Sequence, residues 1–232
     1  MHRVLFVCHR NICRSPMAEF VMKDLVRKAG LEDDFSIASA ATSTEEIGNP
    51  VYPPARRKLA EHGIGCAGKT ARQLRREDYD RYDLLIGMDG ANLRNMRRIC
   101  GGDPVGKLSL LLDWTGRPGD VADPWYTGDF EATWQDVNEG CLALLNHLVP
   151  QVRLDLSGCR SREELYDLLA ERMLWQETYG RNLDALYDIL TGLPHYGRSF
   201  VLQLPEADSP VYGYAGRIVE VFREAGVPVT AE

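Results

Sequence analysis

A cysteine and an arginine stand at the two ends of one short segment near the start of the chain. The apolar run Val4 to Val7 leads directly into Cys8, and Arg14 follows in a C-x5-R spacing, with Ser15 and Pro16 behind it. A short apolar run is typical of a buried strand, and a Ser-Pro pair is typical of a helix start. The segment therefore predicts a strand, a loop and a helix N-terminus in succession, with the thiol at the end of the strand.

This loop has the parts that bind an oxyanion. Backbone N–H groups leading into a helix N-terminus form a cradle for anions, and the guanidinium of Arg14 is a planar fork that fits two phosphate oxygens. The same field stabilises a thiolate, so we expect Cys8 to be ionised at neutral pH. With a phosphate monoester bound, the thiolate attacks phosphorus in line, and water then cleaves the phosphocysteine. The hydroxyl of Ser15 is suited to donate a hydrogen bond to the departing thiolate.

The leaving oxygen also needs a proton, and our candidate donor is Asp123 in "ADPWYTGD". Asp123 precedes Pro124, which favours an extended or turn backbone over a helix. Trp125 and Tyr126 beside it are suited to wall an entrance of aromatic size. Spacing alone leaves three neighbouring acids open as alternatives: Asp113, Asp120 and Asp129.

The residues that carry the chemistry must be positioned by strands and helices, and the first part of the chain alternates between the two. Apolar runs predict strands at residues 4–7, 35–42, 82–88 and 107–112. Three- and four-residue spacing predicts helices at 15–29, 53–63, 91–99 and 129–148, the first with Ser15 as N-cap and Pro16 as first helical residue. This alternation predicts a parallel sheet with helices on both faces. Ligands bind beyond the carboxyl ends of such strands, where the Cys8 loop lies.

After Pro150 the pattern starts again. Strands are predicted at residues 152–156, 199–204 and 227–230, and helices at 161–173, 182–194 and 216–226. Ser161 and Glu164 predict a capping box, Asn182 predicts a second N-cap, and Gly192 and Pro194 end that helix. The sequence therefore predicts two α/β domains, residues 1–149 and 150–232.

Composition limits the class of protein. A hydrophobic content of 44% and a charged content of 26% are typical of a soluble globular chain. The apolar runs are too short for a membrane span or a signal peptide, so we expect a cytoplasmic protein. The six cysteines form no C-x-x-C pair, so we expect no metal and no cofactor. The net charge of −7 argues against nucleic acid, and the acidic excess falls mostly in residues 150–232, with 13 Asp and Glu against 8 Lys and Arg.

The segment "VLFVCHRNICRSPMAE" resembles the signature of the low-molecular-weight protein tyrosine phosphatases, and the resemblance covers about residues 2–148. It continues through "SAATS", "IGNP", "ARQL", "MDGANLRNM" and "DPWY". It implies a three-layer fold with flavodoxin-like winding, Cys8 as nucleophile, Arg14 as phosphate clamp and Asp123 as general acid. Asn11, Ser15 and Ser39 would hold the shape of the loop, and Cys13 would form a reversible disulfide with the nucleophile. We assign substrate binding to these residues: His9, Arg10, Asn11, Ile12, Cys13, Ser15, Trp125 and Tyr126.

The sequence departs from that family's pattern around the loop. His9 and Arg10 stand where small residues are usual, Glu45 replaces a frequent aromatic, and Lys69 replaces a frequent histidine. Ile12 favours a phosphotyrosine ring, while phosphoarginine stays open as a substrate. An arsenate reductase-like thiol enzyme is a further alternative. That chemistry uses paired downstream cysteines, and Cys66 and Cys100 are not paired in this way.

The second part resembles barstar, the inhibitor of the ribonuclease barnase, in "YGRNLDALYDILTG" (179–192) and "VFREAG" (221–226). Asp184 and Asp188 lie four residues apart on the flank of the predicted helix. The resemblance implies that Asp184, Asp188 and Glu224 face a basic ribonuclease-like partner, although Thr178 departs from the usual aromatic. Three alternatives remain: a solvated helix face, recruitment of a basic protein substrate, and an antitoxin-type inhibitor whose first domain is secondary.

Overall fold

In the computed structural model, which describes residues 1–173, 180–192 and 199–232, the apolar run near the N-terminus is the inner strand of a parallel sheet. This strand, β1 (His2–Cys8), pairs with β2 (Phe35–Ala41) on one side and β3 (Leu84–Gly87) on the other, and β4 (Leu108–Leu110) completes the order β2-β1-β3-β4. Val4–Val7 is fully buried, as expected for a parallel strand covered on both faces. The predicted parallel α/β fold is confirmed.

Six helices accompany this sheet in the described residues: α1 (Arg14–Lys28), α2 (Pro53–Glu61), α3 (Asp78–Arg81), α4 (Gly90–Cys100), α5 (Pro124–Thr127) and α6 (Phe130–Leu148). The first two crossover connections place their strands, β2 and β3, at opposite edges of β1. The chain goes outward to β2, then returns past β1 to β3. The loops after β1 and β3 therefore diverge and leave a crevice at the carboxyl ends of these two strands.

Two local predictions for this part were wrong. Helix α1 begins at Arg14, and its first bond runs from Met17 N to Cys13 O at 3.0 Å, so Ser15 lies inside the first turn and is not the N-cap. Its hydroxyl bonds to loop residues instead, as described below. The strand predicted over residues 107–112 ends at Leu110, because Leu111–Trp114 turns into a short 3-10 helix. Helices α3 and α5 were not predicted, since four residues are too few to show a periodic pattern.

The chain divides into two compact units, one of Met1–Arg27 and Leu31–Leu145, the other of Lys28–Gly30 and Asn146–Glu232. The second unit contains a three-stranded parallel sheet in the order β5-β6-β7. Its elements are β5 (Gln151–Asp155), α7 (Arg162–Arg172), α8 (Leu183–Gly192), β6 (Ser199–Gln203), α9 (Tyr212–Glu224) and β7 (Val229–Ala231). Its core includes Leu165, Leu186, Leu190, Phe200 and Phe222.

Helix capping in the second unit partly follows the sequence. Asn182 Oδ1 accepts from Ala185 N at 2.8 Å, and Ser161 Oγ accepts from Glu164 N at 3.1 Å, so both N-caps are present. The predicted capping box is not formed, because the Glu164 carboxylate accepts from Arg160 N, one residue before the cap. Helix α9 begins at Tyr212, four residues before the predicted start. Thr178 and Pro194 lie outside the described residues. No helix in the described ranges has an apolar stretch long enough to cross a membrane.

Candidate active site

A cavity of about 360 Å³ opens at the crevice between the loops that follow β1 and β3. Its lining includes the side chains predicted to act together in chemistry, which are Cys8, Arg14 and Asp123. The remaining lining residues are His9, Arg10, Ile12, Cys13, Asp89, Ala91, Asn92, Asn95, Trp125 and Tyr126. The volume lies within the range of small-molecule sites. The fold thus places the end of β1, the start of α4 and the segment leading into α5 around one cavity.

Cys8 lies at the floor of the cavity with two polar partners. Its Sγ accepts from Asn11 N at 3.3 Å and lies 3.0 Å from Ser15 Oγ. Ser15 Oγ already accepts from Asn11 Nδ2 at 2.9 Å, so its one proton is available for Cys8. Both contacts can stabilise negative charge on sulfur, which is the charge that the predicted thiolate carries.

Asn11 holds the loop in a conformation that non-glycine residues rarely adopt. Its φ is 58°, in the left-handed region, where asparagine is tolerated better than most residues. The Asn11 side chain uses both of its N–H groups and one of the two lone pairs on Oδ1 in hydrogen bonds. Nδ2 donates to Ser15 Oγ and, at 2.7 Å, to Ser39 Oγ, while Oδ1 accepts from Arg72 N at 3.2 Å. Because Asn11 is buried, this network fixes the backbone around Cys8.

The network continues to a buried carboxylate. Ser39 Oγ donates to Glu19 at 2.6 Å, and Glu19 pairs with Lys69 at 2.9 Å and with Lys23. Burial acts to raise the pKa of the Glu19 carboxyl, but the two lysines and the Ser39 hydroxyl outweigh burial and hold that pKa below its ordinary value. Lys69, which departs from the family pattern, therefore supplies a charge at the far end of the chain of bonds that begins at Cys8.

Arg14 is buried between two carboxylates at the cavity wall. Its Nη1 contacts Asp89 Oδ2 at 2.7 Å, and its Nη2 contacts Asp123 Oδ2 at 2.6 Å. Burial acts against the charged guanidinium, but Cys8, Asp123 and Asp89 outweigh it and raise the pKa of Arg14. The arginine is therefore a fixed cation beside the sulfur, and the backbone of Asp123, with φ −92° and ψ 105°, is extended before Pro124 as predicted.

Three of the residues that depart from the family pattern, His9, Arg10 and Glu45, are linked to one another beside the cavity. Glu45 accepts from Arg10 Nε at 2.7 Å and lies 3.1 Å from His9 Nε2. The hydrogen bonds with Arg10 and His9 hold the pKa of the Glu45 carboxyl below its ordinary value. The guanidinium carbon of Arg10 also lies 4.2 Å from the ring centroid of Trp125, a cation–π distance. The three substitutions thus form one connected rim that reaches the aromatic next to Asp123.

The alternative acids are engaged elsewhere. Asp113 accepts from Leu110 N, Asp120 from Gly90 N and Asp129 from Ala132 N, and none of the three lines the cavity. The six cysteines are buried free thiols. Among the described residues, no group of three His, Cys, Asp or Glu is arranged to hold a metal ion.

Two residues predicted to bind substrate do not line the cavity. Asn11 and Ser15 are buried beneath its floor, where they bond to Cys8 and to each other. Asp89 is the polar residue that sequence reasoning missed. It caps α4 by accepting from Asn92 N at 2.6 Å and pairs with Arg14. The sequence did contain a signal for Asp89. An Asp that follows a buried parallel strand next to β1 lies at the same edge of the sheet as Cys8.

In the second unit, the acids predicted to bind a partner share one groove. Asp184 and Asp188 of α8 line it together with Glu224 of α9, and so do Glu220, Arg217 and the half-exposed Tyr187. The groove therefore carries four carboxylates and one guanidinium. Glu220 and Tyr187 were not predicted, although Glu220 stands one helical turn before Glu224.

Two family models match the chain. The model described as low molecular weight phosphotyrosine protein phosphatase matches residues 3–154, and the model described as Barstar (barnase inhibitor) matches residues 149–228. The low molecular weight protein-tyrosine-phosphatase YfkJ of Bacillus subtilis (strain 168) is 39% identical over 156 residues, which are 66% of this chain and all of that protein.

Solved structures agree with this result. The crystal structure of YfkJ from Bacillus subtilis, 40% identical, superposes with a TM-score of 0.62 over 64% of this chain and 94% of that one. The low molecular weight protein tyrosine phosphatase SP-PTP from Streptococcus pyogenes, 41% identical, gives a TM-score of 0.58 over 64% and 94%. Both matches cover about two thirds of the chain.

Proposed function

Because the chain belongs to the low molecular weight phosphotyrosine protein phosphatase family, we propose that it hydrolyses phosphotyrosine in proteins through a phosphocysteine intermediate on Cys8. One observation carries the proposal. Cys8, Arg14 and Asp123 line a single cavity, with a hydroxyl 3.0 Å from the sulfur and a buried guanidinium on the wall. These are the nucleophile, anion clamp and proton donor that cleavage of a phosphate monoester requires.

In the first step, the Cys8 thiolate attacks phosphorus and the bond from phosphorus to the tyrosine oxygen breaks. Arg14 neutralises charge on the equatorial oxygens, and the first-turn N–H groups of α1 add positive potential. Protonated Asp123 gives its proton to the leaving oxygen, so tyrosine departs as a neutral phenol. The products are phosphocysteine and the Asp123 carboxylate.

In the second step, the Asp123 carboxylate takes a proton from water while the water oxygen attacks phosphorus. The sulfur–phosphorus bond breaks, phosphate is released, and Cys8 departs as a thiolate. The Ser15 hydroxyl, oriented by Asn11, stabilises this leaving group. Asp123 therefore acts as acid and then as base, and the site returns to its starting state.

The cavity lining supports an aromatic substrate. Ile12 provides an apolar wall, and Trp125 and Tyr126 stand at the entrance with 43% and 84% of their surface exposed. A flat ring gains contact with such surfaces on both faces. Phosphoarginine remains the alternative substrate to be tested, and arsenate reduction is the less favoured reaction, because the other described cysteines lie outside the cavity apart from Cys13. A cytoplasmic location stays a prediction from the sequence.

Turnover of p-nitrophenyl phosphate and of peptides carrying phosphotyrosine, phosphoarginine or phosphoserine tests this proposal. We expect Cys8→Ser to reduce turnover by at least about 10⁴-fold, while Cys66→Ser, a buried thiol outside the cavity, retains it. We expect phosphotyrosine to be the preferred peptide. Full activity of Cys8→Ser would refute the mechanism, and arsenate-dependent consumption of thiol would favour the reductase.

For the second unit, we propose that the acidic groove between α8 and α9 binds a basic protein, and that the domain boundary lies between residues 149 and 150. The match to the barstar family supports a ribonuclease-like partner, since clustered carboxylates complement a phosphate-binding surface. Inhibition of a barnase-type ribonuclease by the full chain is the test. Asp184→Asn/Asp188→Asn should weaken inhibition, whereas Glu163→Gln/Asp208→Asn, with the same charge change outside the groove, should not. Absence of inhibition by the unaltered chain would exclude this partner.

A further inference from the structure

A second groove lies beside the catalytic cavity and shares the Trp125 side chain with it. The residues that line this flanking groove include Tyr52, Pro54, Arg57, Pro124, Trp125 and Phe130. Because Trp125 also lines the cavity that holds Cys8, the groove adjoins the cavity in which the phosphorylated residue of a peptide would lie. The flanking groove is therefore in reach of residues adjacent to the phosphorylated one.

Aromatic contacts give the flanking groove a defined wall. The ring centroid of Tyr52 lies 5.5 Å from that of Trp125 and 6.2 Å from that of Phe130, within the range of favourable ring pairs. Prolines on two helices, Pro54 at the start of α2 and Pro124 at the start of α5, complete the apolar surface. Such a surface packs against the aliphatic part of a side chain and leaves its polar end for another group.

That group is Arg57. It is exposed on α2, and within the described ranges it has neither a hydrogen bond nor an ion pair. Two nearby cations are already used, since Lys58 pairs with Glu61 and Glu131, and Arg10 pairs with Glu45, while Arg56 does not line the groove. Asp129 follows the groove in sequence but caps α6 and does not line it. Arg57 is thus the cation of the flanking groove, and its charge has no partner among the residues that the structure describes.

We propose that the flanking groove is a subsite for an acidic side chain next to the phosphotyrosine of a protein substrate, with Arg57 as its charge partner. The proposal rests on the phosphatase activity proposed above. Consecutive residues of an extended peptide are about 3.8 Å apart, so a side chain one or two positions from the phosphotyrosine spans the indole of Trp125. A Glu or Asp there buries its stem against Tyr52 and brings its carboxylate to the guanidinium.

The charges beside the cavity also favour an acidic substrate side chain at Arg57. Glu45 is half exposed, already pairs with Arg10 and contacts His9. A second carboxylate from the substrate at that rim would meet Glu45 and gain no free cation. A flanking acid is therefore stabilised on the side of Arg57 and not on the side of Glu45.

Matched phosphotyrosine peptides test the subsite. The peptides of each pair are identical except for Glu or Gln at one position, either one or two residues before or after the phosphotyrosine. We expect kcat/KM for the full chain to favour Glu by about two- to fivefold at low salt for at least one position, with the preference reduced at high salt. In Arg57→Gln the Glu and Gln peptides should become equal, whereas Arg56→Gln, an exposed arginine of α2 outside the groove, should keep the preference.

Binding of the same peptides to Cys8→Ser gives a readout that needs no turnover, and its ratio of dissociation constants should follow the same pattern. Equal use of Glu and Gln peptides by the unaltered chain, or a preference that survives in Arg57→Gln, would overturn the subsite. If p-nitrophenyl phosphate and all peptides are untouched, the proposed function itself fails. If they are hydrolysed without a Glu preference, only the subsite fails.

Discussion

Arg14 Nη2 and Asp123 Oδ2 form a 2.6 Å ion pair at the wall of the cavity, although the two residues lie far apart in sequence. Asp89 holds the other terminal nitrogen of the same guanidinium at 2.7 Å. A phosphate that docks on the fork of Arg14 must compete with Asp123 for Nη2. The contact therefore links anion binding to the position of the proposed proton donor, because release from Arg14 leaves Asp123 available for the leaving oxygen in the proposed mechanism.

Asp123→Asn should affect turnover and anion binding in opposite directions. Loss of the proton donor should lower kcat for phosphotyrosine peptides by about 10²- to 10⁴-fold. Removal of a carboxylate from Arg14 should tighten the binding of inorganic phosphate, measured as a lower inhibition constant against p-nitrophenyl phosphate. Asp129→Asn, a nearby acid outside the cavity, should change neither quantity. Weaker phosphate inhibition in Asp123→Asn would show that the ion pair does not compete with the anion.

Brief treatment with iodoacetamide at pH 7 should label Cys8 and leave the five other thiols intact. Burial raises the pKa of Cys13 to about 12 and that of Cys100 to about 11, and it also raises the pKa of Cys66, Cys141 and Cys159. Only the thiolate reacts at an appreciable rate, so these five should become reactive only on unfolding or at strongly alkaline pH.

Peptide mapping by mass spectrometry locates the label, and inorganic phosphate in the reaction should protect against it. A label on Cys13 before Cys8 would contradict the assignment of the nucleophile.

The same raised pKa of Cys13 predicts that its disulfide with oxidised Cys8 forms faster as pH rises.

Asn11→Ala and Asn11→Gly separate two contributions of this residue. Both remove the bonds to Ser15, Ser39 and Arg72. The φ of 58° at this position is strained for alanine but not for glycine. We expect both to lower kcat by about 10- to 100-fold through a misplaced Cys8, and alanine to be less stable than glycine by about 1 kcal/mol. Urea unfolding and p-nitrophenyl phosphate kinetics provide the two measurements. Alanine as stable as glycine would mean that the loop can relax to another backbone.

Glu19→Gln should destabilise the protein in a pH-dependent manner. The buried carboxylate pairs with the mostly buried Lys69 and also with the exposed Lys23, and loss of one partner from a buried pair costs about 3 to 5 kcal/mol. The pKa of Glu19 is lowered below its ordinary value of 4.5. Its stabilisation is therefore complete above about pH 4.5 and is lost as pH falls through the lower value in the folded state.

Urea unfolding from pH 7 down to pH 3 should show the difference between Glu19→Gln and the unaltered chain shrinking at the acidic end. Glu61→Gln is a matched control, because this exposed partner of Lys58 should matter by less than about 1 kcal/mol at any pH. A constant difference over the whole range would mean that Glu19 acts by packing and not by charge.

Much of the fold was predictable because its signals are local. The run Val4 to Val7 identified the buried strand, and the side chain of Asn182 caps the helix that its position predicts. Ser15 shows where local reasoning fails. A serine before a proline favours an N-cap. In the structure, the Ser15 hydroxyl instead forms hydrogen bonds with Cys8 and Asn11 in the loop, and the helix begins at Arg14.

The sequence by itself determined where a nucleophile and an anion clamp are expected, since Cys8 and Arg14 stand in one local pattern, and the resemblance to the phosphatase family added Asp123 as the expected acid. Only the tertiary structure decided which carboxylates flank Arg14, that Glu45 joins His9 and Arg10 into one rim, and that Lys69 supports Glu19. The physical reason is that a charge acts through distance in space. Parallel strands bring remote segments to one sheet edge, and no spacing along the chain encodes which side chains meet there.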